Sequence, residues 1–459
     1  MRIKESILLF AMALLPLTAT ASVVINETNF PDPAFREFVM SKEIDIDQDR
    51  QLDDYEIASV TTMNVPRKGI KSLKGIEYFT ELTWLSCYGN ELTTLDLSKN
   101  TKLTKVFCHH NKLTSIDVTR CPDILNLDCA VNELQSIDVS NNRNLERLNL
   151  YINHLTSLDV TKCTALKRLY FGDNQIATTV DVSKNVLLDS LNCEKNQLTS
   201  LDVTKCKELG KLSCWGNKLK TLDVTQCTKL DTLYCDQNQL QALDLSKNAS
   251  LTELYCSDNQ LTSLDLQNCT KLTILVCAWN QLQALDLSKN ASLTELYCYG
   301  NQLTSLDLTK HKVLTIMYGQ GNQLTSLLFA KDGVMKDISC HLNRISGKAM
   351  DDMIASLPNQ EDGYVKLFNT DYITEEHNVC TTKQVAAAKT KGWTAYHSLN
   401  EEWVPYPGSD ETGIDAVMSE PAGTVDAAYG LDGRKLRQTG KGLNIIRMDN
   451  GQTRKVIVR

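Results

Sequence analysis

The sequence is poor in the residues that build catalytic sites. Histidine occurs seven times and glycine 21 times in 459 residues, and the histidines are scattered. There is no Gly-rich phosphate loop, nucleophile elbow or zinc-binding pair, and no inserted loop in which a nucleophile, a base and a stabiliser would converge. These absences argue against an enzyme. Excess positive charge is also missing: 48 Lys and Arg against 56 Asp and Glu leave a formal net charge of −8. A nucleic-acid partner would want a basic face, and anionic membranes would want one too. No cysteine precedes Cys87, so none is placed to carry a lipid near the start. After residue 21 no apolar run is long enough to span a bilayer.

What is present begins with a leader pattern. Arg2 and Lys4 precede an apolar run at residues 7–17, broken only by Pro16, and Ala19-Thr20-Ala21 forms a small-x-small site. This reads as a signal peptide over 1–21, with the mature chain starting at Ser22 and carrying no membrane-spanning segment.

A repeat then dominates. Leu-x-x-Leu-x-Cys-x-x-Asn-x-Leu-x-x-Leu-Asp-Leu/Val-Ser/Thr returns every 21 residues, and its Asn marks thirteen turns: Asn90, Asn111, Asn132, Asn153, Asn174, Asn196, Asn217, Asn238, Asn259, Asn280, Asn301, Asn322 and Asn343. One extra residue falls between Asn174 and Asn196. Each turn supplies one short strand of a parallel sheet, and stacking turns make one core. Twelve steps of ~4.8 Å give a sheet about 58 Å long. The expected fold is an α/β leucine-rich-repeat solenoid with the sheet on its concave face. A helical N-cap with an EF-hand-like loop (22–59) precedes the repeats (60–347). An α/β C-cap (348–403), a linker (404–413) and a small β domain (414–459) follow.

Ten of the sixteen cysteines stand at the inward strand position: Cys87, Cys108, Cys129, Cys193, Cys214, Cys235, Cys256, Cys277, Cys298 and Cys340. Leu150, Phe171 and Gly319 take that place in the other turns. Cys121, Cys163, Cys206, Cys227 and Cys269 form a second column across the coil, interleaved with Asn100, Asn142, Asn185, Asn248 and Asn290. Neighbouring rungs are near enough for a disulfide, but parallel stacking favours free buried thiols. A straight ladder does not converge on a metal ion.

This ladder resembles the cysteine-ladder repeats of internalin J-type, internalin-like surface proteins, over roughly residues 60–347. The resemblance implies an adhesin-type binding role.

Strand alternation points the residues beside Leu and Cys outward. Those positions hold Trp84, Tyr88, Phe107, Tyr151, Tyr170, Trp215, Tyr234, Tyr255, Trp279, Tyr297, Tyr299 and Tyr318, joined by His109, His110 and His341. Cross-strand stacking explains part of this, but a contiguous aromatic face marks an interaction surface for protein or glycan. The central run from Trp215 to Tyr299 is the expected contact region. A row of aspartates, Asp96 through Asp307, recurs after the last Leu-class residue of nearly every turn and is expected to accept backbone N–H bonds.

In the N-cap, Asp45, Asp47, Asp49, Gln51, Asp53 and Glu56 fill positions one, three, five, seven, nine and twelve of an EF-hand loop. Arg50 stands at position six, where glycine is expected, which should weaken or distort the loop. Calcium is favoured here over a solvated acidic turn between two helices. Calcium is the one cofactor expected.

At the far end, a turn at 428–434, Gly440-Lys-Gly-Leu-Asn-Ile-Ile-Arg447, a turn at 449–451 and Arg454-Lys-Val-Ile-Val-Arg459 read as a β unit ending in a hairpin. It resembles the carboxyl-terminal sorting domain of type IX secretion in Bacteroidetes, which implies export to the outer-membrane surface or beyond. The combined expectation is a secreted or cell-surface adhesin that attaches to host protein or glycan. The alternative is a bacterial cell–cell contact and biofilm matrix protein.

Overall fold

The computed structural model describes residues 22–372 and 375–410, together with the backbone of four strands within 425–458. The leader pattern at 1–21, residues 411–413 of the expected linker, and the turns at 430–434 and 449–452 lie outside the described residues. The chain divides into two compact units at Leu303/Thr304.

The first unit is a leucine-rich-repeat solenoid behind a helical cap. Its period-two apolar pattern lasts only three residues per turn, so the strands are short. Twelve strands, from Thr62–Asn64 to Glu295–Tyr297, pair side by side in parallel without a register shift. The middle residue of each faces its equivalent, as Leu233 faces Leu254. These residues and the ladder cysteines are fully buried. The extra residue before Asn196 leaves the sheet undisturbed, since Leu169 still faces Leu191.

Three polar columns hold the turns where no strand ladder exists. The Asn238 amide donates to the carbonyls of Cys214 (3.0 Å) and Cys235 (3.2 Å), and its Oδ1 accepts from Leu219 N. Equivalent bonds recur from Asn90 to Asn301. In the second column, Asn142 donates to Val118 O and Cys121 O, while Cys121 Sγ lies 3.5 Å from Asn100 O. Asn and Cys alternate there because both donate to the carbonyls of the preceding turn. Each aspartate from Asp96 to Asp307 accepts the N–H two residues on, as expected. With the Ser or Thr hydroxyl that often joins in, this holds carboxyls such as Asp117 and Asp202 below their ordinary range.

The cap helix runs over Pro33–Val39. Asp32 starts it, accepting from Ala34 N and Phe35 N, and also accepts from Lys71 N and Ser72 N of the first turn. A second helix, Asp54–Ser59, begins in a capping box of Asp53 and Glu56.

In the second unit, Ile316–Tyr318, Asp337–Ser339, Gly363–Asn369 and Trp393–Leu399 form a parallel sheet. Helices Lys348–Ser356 and Thr382–Thr390 accompany it. The expected linker begins differently. Glu402–Pro405 adds an antiparallel strand to Trp393–Leu399, Tyr406 is buried, and Ser409 N donates to Cys380 O. Its proline and acidic residues suggested a loop, but apolar Trp403 and Tyr406 find a partner surface. Farther on, Val425–Tyr429, Lys435–Leu436, Gly442–Met448 and Thr453–Val458 make a four-stranded antiparallel sheet, including the expected terminal hairpin.

Candidate binding face

In the first unit the outward positions form four columns across the strands. Trp84, Tyr88, Phe107, Tyr151, Tyr170, Trp215, Tyr234, Tyr255, Tyr297 and Tyr299 are half-buried there. Trp279 is 58% exposed, the most open of them. Neighbouring rings support one another: Trp84 with Phe107, Tyr88 with His109 at 4.6 Å between centroids, and Tyr234 with Tyr255 at 4.6 Å. Trp279 meets Tyr299 edge-on at 5.9 Å. In the second unit Tyr318 donates to Asp337 Oδ2 at 2.6 Å. His341, expected on the exposed face, is buried against Trp403, and burial pulls its pKa down to about 4.

The backbone after each strand is left-handed. Gly89, Gly216 and Gly300 sit there at φ of 69°, 67° and 66°. Val131, Ile152 and Trp279 adopt it without glycine's freedom, at 55°, 53° and 50°. A bulky side chain at positive φ is an outlier that strains the chain.

Carboxylates share this face, which the aromatic pattern alone did not single out. Asp231, Asp236, Glu253, Asp258 and Glu295 occupy outward positions in the four turns that hold Tyr234, Tyr255, Trp279, Tyr297 and Tyr299. The same strand template locates Asp236, Glu253 and Glu295, whereas Asp231 lies two residues before the inward Leu233 and Asp258 sits in the left-handed backbone after its strand. Tyr234 donates to Glu253 Oε2 (3.2 Å) and Tyr297 to Glu295 Oε2 (2.9 Å). Burial, followed by the Glu253 charge, pushes the Tyr234 phenol up to about 12. Burial also raises Asp236 to about 6, with the Asp258 charge adding to the rise against a bond from Ser257 N.

The cap loop brings three expected ligands together. Oxygen atoms of Asp45, Asp47 and Asp49 lie within 4.8 Å of one another. Asp45 is 1% exposed, and its Oδ1 lacks a protein partner. Arg50 takes φ 64°, the left-handed value asked of glycine there, and donates its N–H to Asp45 Oδ2. Glu56 instead accepts from Ile46 N (2.6 Å) and Asp53 N (3.1 Å). Asp53 accepts from Glu56 N, and Gln51 Oε1 from the Ser22 hydroxyl.

The fold is that of a leucine-rich-repeat protein. Among solved structures it is similar to the functional domain of InlJ from Listeria monocytogenes, described as including a cysteine ladder. That match has 26% identity and a TM-score of 0.63, covering 95% of this chain and 97% of that one. An internalin, InlF, from Listeria monocytogenes str. 4b F2365 matches at 24% identity and TM-score 0.60, over 70% of this chain and 98% of that one. The leucine-rich-repeat protein LIC12759 of Leptospira interrogans matches at 20% and 0.60, over 74% and 96%. No protein-family profile matches the sequence, and no curated protein matches it. Among the described residues, no helix is long and apolar enough to cross a membrane.

Proposed function

We propose that this protein is a secreted or cell-surface adhesin that binds a macromolecular ligand, protein or glycan, through the aromatic concave face. The observation that carries this reading is the gathering of aromatic rings at outward strand positions while the solvent-facing loops carry Ser, Thr, Lys, Gln and Asn. An exposed ring in a strained backbone, Trp279, is hard to explain by folding alone. The likeness to internalin structures supports the same role. The leader pattern and the terminal β sheet support export, with the type IX route as part of the proposal.

Cells making the intact protein are compared with cells making Trp215→Ala, Tyr255→Ala, Trp279→Ala together, at equal surface level. Host-cell attachment is expected to fall severalfold. Loss of cell–cell aggregation and biofilm alone would favour the matrix role, and no change in either would remove the face as the binding site.

We also propose that the cap loop binds calcium through Asp45, Asp47 and Asp49, with Gln51, Asp53 and Glu56 completing the ligand set. The buried, unpartnered Asp45 Oδ1 supports this, because an unpaired buried carboxylate oxygen is costly without a cation. Glu56 would exchange its backbone bonds for the ion. Calcium is expected to raise the Tm of the full chain by several degrees, and Asp47→Asn to abolish the rise. A wild-type Tm indifferent to millimolar calcium would overturn the site.

A further inference from the structure

The rings of the first unit meet charge in two ways. In the earlier turns the chain supplies its own cations. Arg67 lies 5.6 Å from the Tyr88 ring centre, Arg147 lies 5.0 Å from Tyr170, and Lys195 Nζ lies 5.0 Å from Trp215. Residues 231–237, 252–258, 273–279 and 294–300 form the outward arc of the four following turns, and they contain no lysine, arginine or histidine. Five rings and five carboxylates share these segments. The carboxylates of Glu253 and Glu295 are oriented by tyrosine hydroxyls, and Trp279 projects furthest into solvent.

We propose that these four turns bind a short extended polypeptide segment rich in lysine or arginine, which brings the cations that the chain withholds here. The proposal rests on the reading of the concave face as the binding site and names its partner's chemistry. A cation within about 6 Å of a ring centre is held by the ring's quadrupole, and the effect grows as water is excluded. Carboxylates only accept hydrogen bonds, and ammonium and guanidinium groups only donate them. A neutral sugar would stack on the rings equally well, but its hydroxyls both donate and accept, so an acceptor-dominated face fits it less well. Three steps of ~4.8 Å span about 14 Å, the reach of four to five extended residues.

The test uses the full chain. A fluorescein-labelled (Arg-Gly)4 peptide, an equivalent Glu-Gly peptide and a neutral glucan oligosaccharide are titrated by polarisation or calorimetry at 0.15 M salt. A charge-neutral variant carries Asp231→Asn, Glu253→Gln, Asp258→Asn and Glu295→Gln, which keep shape and acceptor oxygens. A control variant carries Asp202→Asn, Asp223→Asn, Asp244→Asn and Asp265→Asn, an equal charge change on the loop row. The basic peptide alone is expected to bind. The first variant should weaken it at least tenfold and the control less than twofold, with binding falling as salt rises. Equal losses in both variants would mean attraction to net charge only, and preferred binding of the glucan would mean a glycan face; either overturns the proposal. Cell attachment separates the two levels. If the aromatic variant loses attachment and the charge-neutral variant keeps it, the face stands and the basic partner falls. If both keep it, the adhesin reading falls as well.

Discussion

Asp236 shows what a single residue contributes to this face. Its folded pKa of about 6 lies above the ordinary ~3.9 of the unfolded chain. The folded state therefore prefers the protonated carboxyl. The cost of ionising it is fully present above pH 6 and is relieved as pH falls from about 6 toward 4. Asp236→Asn keeps an acceptor for Ser257 N and removes the charge. It is expected to stabilise the protein at pH 7.5 by roughly 1–3 kcal/mol, with the advantage vanishing near pH 4, as read by urea denaturation at both pH values.

Among the elements, the two cysteine columns look alike in sequence and differ in chemistry. Both are buried, and burial raises the thiols, to about 12 for Cys214 and for Cys227. Cys227 Sγ lies against Val203 O, and in the next turn the Asn248 amide donates to the equivalent Val224 O and to Cys227 O. The Cys214 column runs inside the strand ladder among Leu side chains. Cys227→Asn is therefore expected to cost less than about 1 kcal/mol, whereas Cys214→Asn should cost ~3 kcal/mol or more, since its amide would be buried without partners. Chemical denaturation of the two variants measures the difference, and equal costs would refute the assignment of roles. The alternation with Asn was visible in the sequence. Its reason, donation to the turn before, required the three-dimensional stacking.

Across the molecule, a solenoid is open at its ends, and its first apolar turn needs a cover. The cap provides it through Phe30, Phe35 and Val39, and through Asp32, which ties the helix to Lys71 and Ser72. Deleting residues 22–59 strips Phe30 from the Tyr78 ring and Asp32 from Lys71 and Ser72. The truncated chain is expected to aggregate, eluting in the void volume on size exclusion where the intact protein elutes as a discrete species. A monomeric, folded truncation would show that the repeats close themselves.

The sequence by itself determined the repeat, the inward Leu and Cys positions, the role of the Asp row and the outward placement of Tyr234 and Tyr255. A 21-residue period stacks equivalent positions of successive turns, and alternation then assigns the side chains within each strand to a face. Only the tertiary structure decided how side chains from different turns meet. It set the phenol of Tyr234 on Glu253 one turn later, laid Lys195 over Trp215, and packed residues 402–405 as a strand. It also let Arg50 take a glycine's conformation. The first two depend on distances between residues about twenty positions apart, the third on an antiparallel pairing of Trp403 with Ser398 that its local composition hid, and the last on a local strain that the folded surroundings hold in place.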